Sequence, residues 1–222
     1  MAYQWTTADA DAFLVFCGEV GITDFTIPIK CWAYESNDDP GAYNPAGASG
    51  IFQLTPPTAS AIGYPVASDP SLAGFRQMTV AQQMAWATKY YGPHVGILDS
   101  LASFYCVTFL PVQAPRVYAE PGTVVCGKNG PYAGAYASNT SFDAQGKGYI
   151  TGNDLAATAQ KAYGPRAQSI AGLVASRAGV FQNVVTAPSW QLLALGSALG
   201  VLSYAAWRRL GSPGLPRLTH LG

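Results

Sequence analysis

Residues 35–59 read ESNDDPGAYNPAGASGIFQLTPPTA, and the rest of the chain is best read outward from them. Glu35 closes a short apolar run, Cys31-Trp32-Ala33-Tyr34. Asn, Asp, Pro and Gly then crowd residues 37–50 and predict an irregular loop. A small-residue turn, Gly47-Ala48-Ser49-Gly50, leads to Ile51-Phe52-Gln53. One carboxyl at a helix end, beside a loop able to hold a polymer, is a pattern for moving a proton on a bound substrate.

The surrounding segments predict helices. Asp9 and Asp11 suit the positive end of a helix over residues 7–20, which Gly21 stops. Pro28 fits the first turn of a second helix, running through Trp32 to Glu35. Pro56 and Pro57 open a short helix that ends near Gly63. Thr79 with Gln82 forms a capping-box pattern for a helix to Tyr91, before Gly92-Pro93. Residues 97–110 form another apolar segment, and 112–137 read as loop or short strands. Thr151 with Asp154 starts a helix to about Ala162, and Pro165 starts another to about Ser176. The expected fold is mainly α, a helical domain over residues 1–180 with long loops.

Composition narrows the function classes. Charged residues are 11% of 222 and the formal net charge is zero, so bulk electrostatics recruits no nucleic acid. Four cysteines, Cys17, Cys31, Cys106 and Cys126, lack any C-x-x-C pair. They fit either two disulfides, locally Cys17–Cys31 and Cys106–Cys126, or four buried thiols. The N-terminus carries early acids and no basic stretch, and does not read as a secretory signal peptide. His94 and His220 are the only histidines, with no local motif for a Cys-His nucleophile.

Residues 188–208 differ from the rest. Trp190 to Trp207 holds no charge over 18 positions, or ~27 Å of helix, with a Trp at each end and Arg208-Arg209 following. Gly196 and Gly200 are spaced for close helix pairing. This predicts one transmembrane helix and a lipid partner, followed by a loose tail over 209–222. Asp143 to Asp154 has EF-hand loop spacing, with Gly148 at position 6. Lys147 stands where an oxygen ligand belongs and Asp154 where a longer Glu is usual. The expectation is a decayed loop kept for shape, with no metal and no cofactor.

Cleaving a glycosidic bond requires protonating a poor leaving oxygen, which a carboxyl of raised pKa does near neutral pH. Glu35 after Trp32, Ala33 and Tyr34 fits a partly desolvated acid. Glu35-Ser36, Asn44-Pro45, Gly47-Ala48-Ser49-Gly50-Ile51-Phe52-Gln53 and Pro57-Thr58-Ala59 resemble, in order and spacing, the lytic transglycosylases of the goose-type lysozyme-like superfamily. The resemblance covers about residues 20–110 and is of phage type. It implies a lysozyme-like α+β fold and peptidoglycan glycan strands as the partner. It also implies cleavage between N-acetylmuramic acid and N-acetylglucosamine by Glu35 alone, giving a 1,6-anhydro product. By the same resemblance Ser36 and Ser49 orient the carboxyl or the substrate, and Gln53 bonds a sugar substituent. The family's Ala-Tyr-Asn-Ala-Gly motif is missing, and Tyr105 in Phe104-Tyr105 is its nearest counterpart. Asp38 and Asp39 read as turn residues, or as a second carboxylate for a hydrolytic variant. The anchor and the missing leader together point to the membrane of a phage particle, with virion proteins as partners, or else to a bacterial envelope. The rival expectation is a non-catalytic structural or glycan-binding protein on the same scaffold.

Overall fold

Thr6 opens the first helix, α1 (Thr7–Val20), with its hydroxyl on Asp9 N while the Asp9 carboxylate reaches back to Thr6 N. That capping box satisfies donors at the helix start that would otherwise lack partners. The computed structural model describes residues 2–186, and side chains as far as residue 179. The remaining helices are α2 (Thr26–Ser36), α3 (Pro56–Ala61), α4 (Ala73–Gln77), α5 (Val80–Tyr91), α6 (Leu101–Phe109), α7 (Ala114–Ala119), α8 (Ala133–Ala137), α9 (Gly152–Ala162) and α10 (Pro165–Thr186). Two short strands, β1 (Val124–Gly127) and β2 (Tyr149–Thr151), pair antiparallel with Cys126 opposite Ile150. The described residues are therefore mainly helical.

Residues 1–178 form one unit and 179–222 a second, of which only the last turns of α10 are described. Among the described residues no helix is long and apolar enough to cross a membrane. The transmembrane helix expected at 188–208 and the tail at 209–222 lie outside the described residues.

Trp32 of α2 anchors the core. It is fully buried among Phe13 and Phe16 of α1, Phe52, Tyr91 of α5 and Phe104 of α6. Edge and offset ring pairs of this kind each add about 0.5–1.5 kcal/mol beyond area burial. The polar tips within the cluster are satisfied in series. Trp32 Nε1 donates to Tyr91 Oη at 3.2 Å, and Tyr91 Oη lies 2.8 Å from Thr108 Oγ1. α1 packs on α5, while α6 and α9 pack on α2 and on each other. The helix carrying Glu35 is thus held from several sides.

The capping boxes at Thr79 and Thr151 form as their sequence patterns predict. Three short helices were not expected. α7 and α8 fall within residues 112–137, which read as loop or strand, and α4 lies in a stretch with no periodic signal. Each is one or two turns long, too short for a 3.6-residue pattern to register. Asp69 sets α4, accepting from the backbone N–H of Ala73 at 2.8 Å and Gly74 at 2.9 Å. All four cysteines are buried free thiols, so the disulfide alternative is set aside.

The loop 143–154 is held by hydrogen bonds to its own acids. Asp143 accepts from the backbone N–H of Lys147 and Gly148 at 2.8 and 2.6 Å, and from Tyr136 Oη. Lys147 Nζ sits 2.8 Å from both carboxylate oxygens of Asp154. An ammonium on the chain occupies the acid that would close a calcium loop. The loop leads straight into α9, which backs both α2 and α6.

Candidate active site

Glu35 lies in the last turn of α2. Asn37 ends that helix in the left-handed region, φ 56°, with its N–H on Ala33 O. Asp38 N donates to Trp32 O, so two of the last carbonyls of α2 are satisfied within the turn. Glu35 is half-buried. Burial raises its pKa, and the Tyr105 hydroxyl of α6 draws it down in part. That hydroxyl acts at close range without a hydrogen bond of standard geometry, since its oxygen is buried and unpartnered. Tyr34 meets Tyr105 edge-on at 6.0 Å on one side. Cys31, one turn earlier, feels the Glu35 charge, and its thiol is pushed well up, first by burial.

The loop after α2 folds back against it. Ser36 Oγ lies 2.7 Å from Ile51 O and 3.0 Å from Trp32 O, pinning the loop to the helix end. Gln53, at φ 52°, turns its amide onto Gly50 O at 2.9 Å and closes the turn. Gly50 sits at φ 79°, where a Cβ would meet Phe75 Cε1 and Gln83 Oε1, the latter at 2.8 Å. Gly50→Ala is therefore expected to cost about 3 kcal/mol or more, from left-handed strain and overpacking, as read by urea unfolding. An unchanged midpoint would show that the turn rearranges freely.

The sequence reading missed Gln83. It is fully buried in α5, accepts from Ile51 N at 2.9 Å, and donates to Pro40 O and Phe75 O at 2.8 and 2.9 Å. One amide thus ties both ends of the loop to α4 and α5. Its signal was a polar residue on the buried stripe Val80, Met84, Ala87 and Tyr91.

The expected site residues divide into two groups. Glu35, Ser36 and Tyr105 come together at the junction of α2 and α6, and Gln53 closes the adjoining turn. Ser49 faces elsewhere: it is fully buried, and its hydroxyl accepts from Arg76 Nη1 at 3.0 Å rather than meeting the carboxyl. Asp39 does act as a turn residue, accepting from Gly41 N at 2.8 Å. Asp38 does not, because both its carboxyl oxygens are buried without a partner. Burial lifts its pKa to about 8, against the pull of Arg166. A recess of about 210 Å³ lined by Tyr3, Gln4, Trp5, Arg166, Ser169 and Ile170 contains neither Glu35 nor Gln53. It is no part of this site.

A half-buried acid of raised pKa thus precedes a loop locked by Gln83 and a glycine-only turn. Residues 30–89 match the transglycosylase SLT domain. No curated protein and no solved structure matches the chain. The SLT match runs from Lys30 in α2 to Lys89 in α5, so it spans Glu35, the whole loop and Gln83. It supports peptidoglycan lytic transglycosylase-type activity, with glycan strands as the substrate class. Tyr105 and α6 lie beyond the SLT match, although the fold brings them to it.

Tyr105→Phe separates electrostatics from packing. Losing the hydroxyl removes the influence that lowers the Glu35 pKa, so that pKa rises further. The alkaline limb of kcat/KM for peptidoglycan cleavage is then expected to move to higher pH, with the ring packing intact. A limb that stays put while kcat falls would show that Tyr105 acts through shape alone.

Proposed function

We propose that the chain is a peptidoglycan lytic transglycosylase in which Glu35 is the sole catalytic carboxyl. The observation that carries this reading is half-buried Glu35, whose pKa burial raises, at the head of the loop that the SLT match spans. Burial favours the protonated form, which is the form able to give a proton to a substrate oxygen. Glu35 donates that proton to the oxygen linking N-acetylmuramic acid to N-acetylglucosamine, and the bond from C1 to that oxygen breaks. The carboxylate then takes the proton from the muramyl C6 hydroxyl as O6 bonds to C1. Glu35 is reprotonated and the product carries a 1,6-anhydro ring.

The two nearby aspartates favour this route over hydrolysis. An inverting hydrolase needs a second carboxylate with room for water, and a retaining one needs it near the sugar carbon. Asp38 is sealed from solvent and Asp39 is spent on its own turn. An attacking hydroxyl supplied by the substrate removes the need for either.

Residues 188–208, charge-free between Trp190 and Trp207, are proposed to anchor the enzyme to a membrane, in a bacterial envelope or a virion. Digesting purified peptidoglycan with wild type and with Glu35→Gln, then weighing the products, tests the catalytic reading. Anhydro ends from wild type alone are the expected result. Reducing ends would replace transglycosylation by hydrolysis. Binding without turnover in wild type would make this a glycan-binding protein.

A further inference from the structure

The loop that follows Glu35 presents an aromatic ring, and α4 sets an arginine over it; the cleavage reaction assigns neither a role. Tyr43 pairs across the loop with Ser49, and Ala42 O beside it accepts from Gly50 N at 2.9 Å. The Tyr43 ring is therefore fixed to the same turn that Ser36 ties to the end of α2. The ring is 56% exposed, among the most open of the large apolar side chains described. Arg76, in the last turn of α4, lies over it at 4.6 Å.

Arg76 is itself held in place. Its Nη1 donates to Ser49 Oγ at 3.0 Å and to Ser71 O at 2.6 Å. Both described bonds use that one nitrogen. The edge formed by Nε and Nη2 has no protein partner among the described residues, and the side chain is half-exposed. A guanidinium stays charged throughout the working pH range, and its free edge matches a carboxylate with two parallel N–H donors. An open aromatic face, for its part, suits the C–H face of a pyranose ring, which is apolar. With Arg76 anchored through one nitrogen to Ser49 and Ser71, and half-exposed, the cation–π pair has the construction of a binding subsite.

We propose that Tyr43 and Arg76 form a substrate subsite on the loop that follows Glu35. One N-acetylated sugar of the glycan strand packs on the open face of Tyr43, and a carboxylate of the peptide carried by that strand takes the free edge of Arg76. The proposal rests on glycan strands being the substrate. It goes beyond that reading by naming peptide-bearing strands as preferred over bare ones. Ser49 acquires a function here too: it orients Arg76 rather than the catalytic carboxyl.

The test uses the full chain carrying Glu35→Gln, so that ligands bind without being cut. Two probes of equal sugar length are titrated, a peptide-bearing glycan fragment and a neutral chitooligosaccharide. Tyr43→Ala is expected to weaken both roughly three- to tenfold. Arg76→Gln is expected to weaken the peptide-bearing probe about tenfold or more and to leave the neutral one unchanged. Arg76→Lys keeps the charge and the reach to Ser49 and Ser71 but loses the fork, and should fall between. Raising salt on the Glu35→Gln protein alone should weaken only the peptide-bearing probe, a readout that needs no further substitution. Equal affinity for both probes at every salt concentration overturns the carboxylate contact, and full binding by Tyr43→Ala overturns the sugar contact. If wild type binds strands but never cuts them, the cleavage reading falls while the subsite stands. If it cuts them and none of these variants alters binding, the reverse holds.

Discussion

Glu35→Gln is expected to lower the rate of peptidoglycan cleavage by about 10³-fold or more and to leave the fold intact. The amide keeps the size of the carboxyl but can neither give the proton to the leaving oxygen nor take one from the C6 hydroxyl. Both halves of the reaction fail together, so the loss should appear in kcat with little change in KM. The protein should also become no less stable. Wild type keeps a carboxyl where burial disfavours its charged form, whereas glutamine carries no charge to desolvate. A thermal midpoint equal to or above that of wild type, with activity gone, is the signature. Near-normal turnover by this variant would falsify the single-acid mechanism.

The second large effect is on stability and belongs to Asp38. Its carboxyl is fully buried, both oxygens lack partners, and its backbone sits at φ 54°. Arg166 is the charge that pulls on it, from α10, yet that guanidinium spends its described bonds on the carbonyls of Tyr3, Asn37 and Asp38. The folded protein holds the Asp38 proton up to about pH 8, whereas the unfolded chain releases it near pH 4. Stability from this residue is thus full below about pH 4 and is lost as pH rises to 8. A gap of about four units corresponds to on the order of 5 kcal/mol. That is a large part of the 5–15 kcal/mol typical of a domain. Asp38→Asn removes the ionisation and also suits the left-handed backbone. The difference in urea midpoint between Asp38→Asn and wild type should therefore widen steadily from pH 4 to pH 8. Parallel curves would mean that the carboxyl finds water or a cation when it ionises.

The sequence revealed those elements whose signal lies within a few residues. Capping pairs Thr79–Gln82 and Thr151–Asp154, the stop at Gly21 and Pro28 in a first turn all reflect local hydrogen bonding and sterics, which composition alone encodes. The candidate acid and the turn after it were legible for the same reason: Glu35 through Gln53 is one continuous stretch. What escaped depends on distant partners. Gln83 reaches back to Pro40 and Ile51, and Arg177 of α10 grips Asp11 of α1 at 2.7 and 2.8 Å. Ser49 shows the same limit from the other side. Its place in the motif suggests a role at the carboxyl or at the substrate, and nothing within the motif foretells that its hydroxyl accepts from Arg76. A residue's neighbours in sequence fix its backbone, while its hydrogen-bond partner is chosen by the fold.

The lysine seated on Asp154 has one more consequence. A counterion that belongs to the chain is always present at the same effective concentration, whatever the medium contains. Asp154, at the start of the helix that packs on α2 and α6, is therefore neutralised from within the chain, and that charge balance does not vary with the cation content of the medium.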